Sequence, residues 1–426
     1  MEWLTPLFVV ALLAETLVRL WLSSRQVAAV RAHRDRVPEQ FQAQVELADQ
    51  QKAADYTVAR SRFGRLGTVL DPLTRLAFTL CGGIAAIDAL WSRVHLGQPW
   101  HGALVIGTVM VVLMGINLPF SLYRTFRLEA RFGFNRMSPG LFVADLLKGL
   151  ALSVVLAGPV VIGALLLMER GGRWWWVWAW LGWTLYSLLI TWAYPRILAP
   201  LFNRFTPLND EALKSRVEQL LARCGFYSKG VFVMDGSRRS THGNAYFTGV
   251  GRNKRIVFFD TLLERLGGAE VEAVLAHELG HFRLQHIRQR IVVSWVGSFA
   301  ALAVLAWVAR QPGFYAAFGV TAVSPQAALL LAMFVAPVFT FFLTPIGAWW
   351  SRRHEFQADD FAARHADAGA LADALVKLYR ANASTLTPDR LHSAFYDSHP
   401  PAIVRIARLH AAAGARPGPE PLAAAT

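Results

Sequence analysis

Residues 149–168, GLALSVVLAGPVVIGALLLM, contain no charged side chain, and Trp174 to Tyr194 is likewise uncharged. A helix needs about 20 apolar residues to cross the hydrocarbon core of a bilayer. Each of these stretches supplies that length. Working outward, Gly102–Phe120, Ile291–Ala309 and Ala327–Trp350 are uncharged too. Trp3–Leu22 is interrupted by Glu15 and Arg19, and Leu76–Trp91 by Asp88. Seven spans are expected, five before a large polar insert and two after it. Glu15 and Arg19 are four apart and should pair on one helix face. Because Met1-Glu2 provides no basic n-region, the first span is expected to be retained rather than cleaved as a signal peptide.

Composition agrees. Of 426 residues, 54% are apolar and 17% charged, against roughly 25% charged in globular chains. The mean hydropathy of +0.34 excludes disorder, collagen and coiled coil. Cys81 and Cys224 form neither a disulfide framework nor a C-x-x-C site. A net charge of +14 and a pI near 10.3 suggest nucleic acid until the charges are placed. Of 43 Lys and Arg, 38 fall in Ser23–Arg75, Arg124–Lys148, Pro195–Arg290 and the chain from Ser351. Those four segments share one side of a seven-span topology, and only Arg93, Arg170, Arg173 and Arg310 lie on the other. This is the positive-inside pattern, with the N-terminus outside and the insert and tail cytoplasmic. Topology explains the charge, and no aromatic-and-basic motif supports nucleic-acid binding.

The insert opens with Pro200-Leu-Phe-Asn-Arg-Phe-Thr-Pro207. Asn209 is a plausible helix N-cap, with Leu213, Val217, Leu220 and Leu221 at helical spacing and Gly225 as the stop. Three strand-like runs follow, Val231–Met234, Ala245–Thr248 and Arg255–Phe259. Glu270 to Gln289 reads as a helix and carries His277-Glu278-Leu279-Gly280-His281.

On a helix, residues four apart share a face, so His277 and His281 can point imidazole nitrogens at one metal ion. Glu278 then reaches a metal-activated water as general base. A catalytic zinc needs a third protein ligand. Arg353-His-Glu355-Phe-Gln-Ala-Asp359 offers Glu355, with Asp359 on the same face to hold a ligating histidine's free N–H. The plainer alternative is a solvated acidic face balanced by Arg352, Arg353 and Arg364. His354 and Asp360 are rival ligands. His399 or Arg405, in Tyr396-Asp-Ser-His399-Pro-Pro-Ala-Ile-Val-Arg405, could stabilise a tetrahedral intermediate. His242, His286, His365 and His392 have no partner pattern and read as surface or packing histidines.

The ordered set Leu118-Pro-Phe, Phe132-Gly-Phe-Asn135, Pro200-Leu-Phe-Asn203, Ser240-Thr-His-Gly-Asn244-Ala-Tyr-Phe247, Lys254-Arg-Ile-Val-Phe-Phe-Asp260, His277–His281, Glu355–Asp359 and His399-Pro resembles the type I CAAX prenyl proteases, which are integral-membrane zinc metalloendopeptidases. The resemblance runs from the second span to about Arg405. It implies a mainly α fold, a barrel of seven transmembrane helices enclosing a large chamber, with a cytoplasm-facing zinc metallopeptidase domain that includes a small β-sheet. It implies one Zn²⁺ per chain on His277, His281 and Glu355, with Glu278 as base and Asp359 supporting the ligands. His399 and Arg405 match positions beside the catalytic centre. Asn244, Ala245, Tyr246 and Phe247 match an edge strand that holds the substrate backbone by strand addition.

The expected organisation is a five-helix membrane region over 1–200, peptidase halves over 201–290 and 351–410 around two spans in 291–350, and a disordered tail over 411–426. The expected partners are the lipid bilayer and a peptide or membrane-protein substrate, prenylated or not, and no nucleic acid. Arg supplies 37 of the 43 basic residues and Ala is abundant. That bias points to a bacterial inner membrane and to membrane-protein quality control; a eukaryotic chain would sit in the endoplasmic reticulum and remove the aaX tripeptide of prenylated proteins. Two other readings compete. The span count and Asp88 would suit a non-catalytic transporter or scaffold. A site-2-type intramembrane protease also uses H-E-x-x-H, but here Glu270, Glu272, Arg283 and Arg288 flank the motif instead of an apolar span.

Overall fold

A computed structural model of the chain describes residues 1, 3–226, 228, 230–248 and 255–414. In chain order its helices begin with α1 (Leu4–Ala32), α2 (Leu47–Phe78), α3 (Gly83–Ser92), α4 (Trp100–Tyr123), α5 (Pro139–Arg170) and α6 (Trp175–Ala193). The insert holds β1 (Phe205–Pro207), α7 (Glu211–Arg223), β2 (Val231–Met234), β3 (Ala245–Thr248), β4 (Arg255–Phe259), the single turn α8 (Asp260–Leu263) and α9 (Gly268–Arg283). Then come α10 (His286–Val308), α11 (Pro312–Ala316), α12 (Pro325–Thr340), α13 (Thr344–His365), α14 (Ala368–Ala381), α15 (Arg390–Tyr396) and α16 (Ala402–Gly414). The chain forms two compact units. One comprises Met1–Gln26, Ala59–Phe202 and Arg288–Pro345, the other Val27–Val58, Asn203–Ile287 and Ile346–Thr426.

The first unit is helical around a core that includes Phe8, Phe78, Val105, Leu165, Leu331 and Phe334. Its helices also turn large apolar side chains outward, among them Val154, Val155 and Leu185, as lipid-facing helices do. Arg19 and Glu15 form the expected pair, at 2.6 Å. Asp88 is hydrogen-bonded by its neighbours. Its Oδ1 accepts from Gln326 Nε2 at 2.9 Å and lies 3.1 Å from His101 Nε2, so local packing satisfies it.

Among the described residues five helical stretches are long and apolar enough to span a bilayer, and the pair α2 and α3, bent by 48°, makes a sixth. The seventh expected span, Trp174–Tyr194, forms the uncharged helix α6, which is not among these stretches, so five or six of the seven expected spans are long and apolar enough. The six tryptophans of α6 lower its hydropathy, because the indole ring is amphipathic and favours the membrane interface. The span expected over Ala327–Trp350 is two helices, α12 and α13, joined by a 3₁₀ turn at Phe341–Leu343.

The second unit carries a four-stranded sheet in the order β1-β2-β4-β3. The parallel pair β2–β4 is central, and β1 and β3 flank it antiparallel. The three expected strands form at the residues expected, and β1 is an addition. α7 starts from Asp210, whose side chain accepts from the Leu213 N–H, one residue later than expected because Asp210 makes the capping bond. Its Leu213, Val217, Leu220 and Leu221 are buried with Phe258, Val271, Leu275, Phe361 and Leu371 in one core. Val37, Phe41 and Val45 belong to that core as well. Val27–Val58, placed by the sequence within the membrane region, therefore sits in this unit. Ala411 to Gly414, expected in a disordered tail, close helix α16; residues 415–426 lie outside the described residues.

The helix expected over Glu270–Gln289 is broken. Gln285 takes a left-handed φ of 59°, which ends α9, and α10 restarts at His286. Within α9, Gly280 faces α13 so closely that a Cβ there would meet Ala358 Cα at 3.0 Å and Ala358 O at 3.2 Å. These are backbone atoms and cannot swing aside. Gly280→Ala is therefore expected to destabilise the protein by about 1–3 kcal/mol despite alanine's better helix propensity. Thermal unfolding checks this; an unchanged or raised Tm would show the two helices are free to separate.

Candidate metal centre

α9 and α13 present the charged and imidazole groups singled out in the sequence. Glu270 Oε2 accepts the Gly267 N–H at 2.7 Å and fixes the start of α9. Two turns on, His277 and His281 emerge on one face, as spacing requires. Their Nε2 atoms are 3.3 Å apart. Glu355 completes the group, with Oε2 at 3.4 Å from His277 Nε2 and Oε1 at 3.4 Å from His281 Nε2.

Lone-pair atoms of His277, His281 and Glu355 lie within 4.8 Å of one another. Glu355 is 3% exposed, and its Oε2 accepts no hydrogen bond from the described residues. Burying a carboxylate oxygen beside two imidazoles is costly unless a cation, a proton or a metal ion, is shared among them. Two imidazoles and a carboxylate are also the donor set of a three-ligand catalytic metal site. The residues fit a metal ion.

The rival ligands are elsewhere. Asp360 is engaged by Arg408 at 2.7 Å, and the His354 ring stacks on His286 at 3.9 Å. Asp359 is where its spacing placed it, beside the ligand helix: its Oδ1 is 2.8 Å from His277 Nδ1. Arg405 lies beside the ligands, bound to Asp359. It is 4% exposed and grips Asp359 through Nε at 2.8 Å and Nη2 at 2.6 Å, with Nη1 at 3.7 Å from Glu355 Oε2. A guanidinium committed to a buried carboxylate on two bonds fixes that carboxylate in place. His399 Nε2 lies 3.6 Å from Glu355 Oε2, and its side chain is 62% exposed.

Sequence reasoning missed one group. His286, read as a packing histidine, is 1% exposed. Its Nδ1 is 3.0 Å from His281 Nδ1 and its Nε2 is 2.9 Å from Gln357 Oε1. An unbroken helix would have carried His286 away from His281, and the turn at Gln285 brings it back. His242 pairs with Asn382, and His365 with the Phe361 carbonyl.

β3 occupies the sheet edge and packs against α9. Ala245, Tyr246 and Phe247 lie in it, while Asn244 precedes it, and its carbonyl accepts from the Phe259 N–H at 3.0 Å. Glu278 follows His277 on α9 and is half-buried; burial pushes its carboxyl above the usual range, against the pull of His277 and His281.

This fold and donor set define a membrane-associated metallopeptidase, and comparison with known proteins agrees. Residues 26–204 match the CAAX prenyl protease N-terminal family, described as five membrane helices, and residues 207–413 match peptidase family M48. The chain belongs to the CAAX prenyl protease family of M48 metallopeptidases. It is 37% identical to a CAAX prenyl protease 1 homolog of Arabidopsis thaliana over 72% of each chain. It is 32% identical to the Caenorhabditis elegans homolog over 92% of this chain and 95% of that one. The crystal structure of Ste24p from S. mikatae superposes with a TM-score of 0.88 at 27% identity, covering 95% of this chain and 98% of that one. The protein is thus an integral, multi-pass membrane metalloprotease that acts on peptide substrates.

Protons compete with a metal for the same atoms. Burial disfavours imidazolium at His277, but the adjoining carboxylates of Asp359 and Glu355 outweigh it and push the group up from 6.5 to about 9. Its ion pairing therefore stabilises the fold fully below about 6.5, and that contribution is lost as pH rises through about 9. A metal ligates only the neutral ring. Adding zinc to chelator-stripped protein at pH 7 is expected to release about one proton from this group, and affinity to tighten about tenfold per unit up to pH 9. Weakly buffered titration measures both; no proton release and a flat affinity would contradict the pairing.

Proposed function

We propose that this chain is a zinc endopeptidase whose seven helical spans place the active site at the cytoplasmic face. It cleaves extended peptide segments near the C-terminus of lipid-modified proteins. The observation that carries the reading is the convergence of His277, His281 and Glu355, with Glu278 between the two histidines and β3, at the end of the sheet order among the described residues, beside the same helix. The orientation rests on the placement of 38 of 43 basic residues on one side.

When bound by the three ligands, zinc supplies Lewis acidity that lowers a water's pKa toward about 7 and polarises a carbonyl. The chain's own residues do the rest. The substrate backbone pairs with β3 by strand addition, which sets the register of the scissile bond. Glu278 takes a proton from the attacking water and delivers it to the departing amine. His399 is near Glu355 and exposed enough to meet substrate, and it donates a hydrogen bond to the carbonyl oxygen as negative charge develops there. Arg405 acts one step removed. It clamps Asp359, which accepts the His277 Nδ1–H and leaves the Nε2 lone pair for the metal.

Glu278→Gln is expected to retain about one zinc per chain while turnover falls by at least 10³-fold, since the substitution removes the base but keeps the shape. Metal analysis and peptide cleavage check this together, and cleavage at the parental rate would end the general-base assignment.

The relatives are named CAAX prenyl proteases, which points to a farnesylated C-terminal CAAX peptide as the probe substrate. The arginine-rich composition favours a second reading, quality control of bacterial membrane proteins. Detergent-purified protein offered the prenylated peptide and its unprenylated twin, with and without chelator, separates them. Chelator-sensitive cleavage of the prenylated form alone is expected. Equal cleavage of both would transfer the assignment to lipid-independent proteolysis, and cleavage of neither would remove the CAAX substrate.

A further inference from the structure

The two histidine ligands are supported in different ways. His277 Nδ1 faces a carboxylate locked by an arginine. His281 Nδ1 faces a second imidazole, His286 Nδ1, at 3.0 Å, and His286 Nε2 faces the Gln357 amide oxygen at 2.9 Å. We propose that His286 and Gln357 form a one-way hydrogen-bond relay that fixes the tautomer and ring orientation of the ligand His281. The proposal rests on the zinc reading above.

With His286 neutral, the chain runs one way. A carbonyl oxygen can only accept, so Gln357 Oε1 takes a hydrogen from His286 Nε2. A neutral His286 with its proton on Nε2 offers a lone pair at Nδ1. His281 must then donate from Nδ1, which leaves its Nε2 without a proton, on the side facing Glu355 and His277. Reversing the relay would put a proton on His281 Nε2 and remove the ligand lone pair. His286 is also held in its plane, because the His354 ring stacks parallel to it at 3.9 Å and 4°. His354 and Gln357 lie on α13 either side of Glu355, so the relay ties the His281 side of α9 to the helix that brings the third ligand. His286 and Gln357 are positioning residues that act through His281.

The test exploits Gln357, an exposed position where substitution leaves the fold intact. Zinc affinity is measured on detergent-purified full-length protein by competition with a chromogenic chelator. Salt at 1 M, where the Debye length is about 3 Å, suppresses through-space effects of the introduced charge. Gln357→Glu preserves an acceptor and is expected to bind zinc within about threefold of the parent. Gln357→Lys offers only donors and is expected to lose about 10–100-fold, the range for lost support of a ligand. His286→Ala should lose a similar amount; where that buried substitution prevents folding, the Gln357 pair decides. Equal affinity in the Glu and Lys variants overturns the relay while leaving the zinc site standing. A parent that binds no zinc overturns the zinc reading, and the relay with it.

Discussion

Three lone-pair atoms, two imidazole nitrogens and one carboxylate oxygen, are held within 4.8 Å of one another in a place that water hardly reaches. The surrounding helices supply no hydrogen bond to Glu355 Oε2 among the described residues. Such a cluster persists only where packing forces its helices together and a cation can relieve it. Gly280 is the packing device. It lets the backbone of α9 meet that of α13 at Ala358, one turn from the ligands on both helices. A larger residue would open the gap on which every distance in the site depends.

Around that cluster the chain uses two kinds of support. The Arg405–Asp359 pair is ionic, bidentate and buried; stripped of either member it would leave an uncompensated charge costing about 3–5 kcal/mol. On the other side His281 Nδ1 meets the His286 imidazole, which in turn meets the Gln357 amide. An ionic support increases the basicity of one ligand, while a neutral one orients the other without adding charge to an already acidic site.

In the membrane-spanning unit the constraint is different. Backbone polar groups must be satisfied within helices, so apolar side chains can face outward, as Val154 and Leu185 do, and polar ones survive only in local clusters. Asp88, Gln326, His101 and Gln98 form one such cluster.

Local chemistry was legible in the sequence. Short apolar and β-branched runs between turn residues marked β2, β3 and β4, and the four-residue spacings of His277 with His281 and Glu355 with Asp359 placed each pair on one helix face. β1 escaped notice because a three-residue run ending in Pro207 is too short to read as a strand; its partner β2 makes it one. The sheet order, with β4 beside β2 and β3 outermost, has no local signal either. His286 lay hidden because one left-handed residue, Gln285, reverses a face that periodicity would have assigned elsewhere. Sequence alone determined which donor types the protein owns and the period at which each helix displays them, since those follow from backbone geometry within a few residues. Which donors meet was decided by tertiary packing: Glu355 and not Asp360 or His354 beside the histidines, and Arg405 committed to Asp359. Contacts between distant segments depend on how closely whole helices approach, and no short window of sequence encodes that distance.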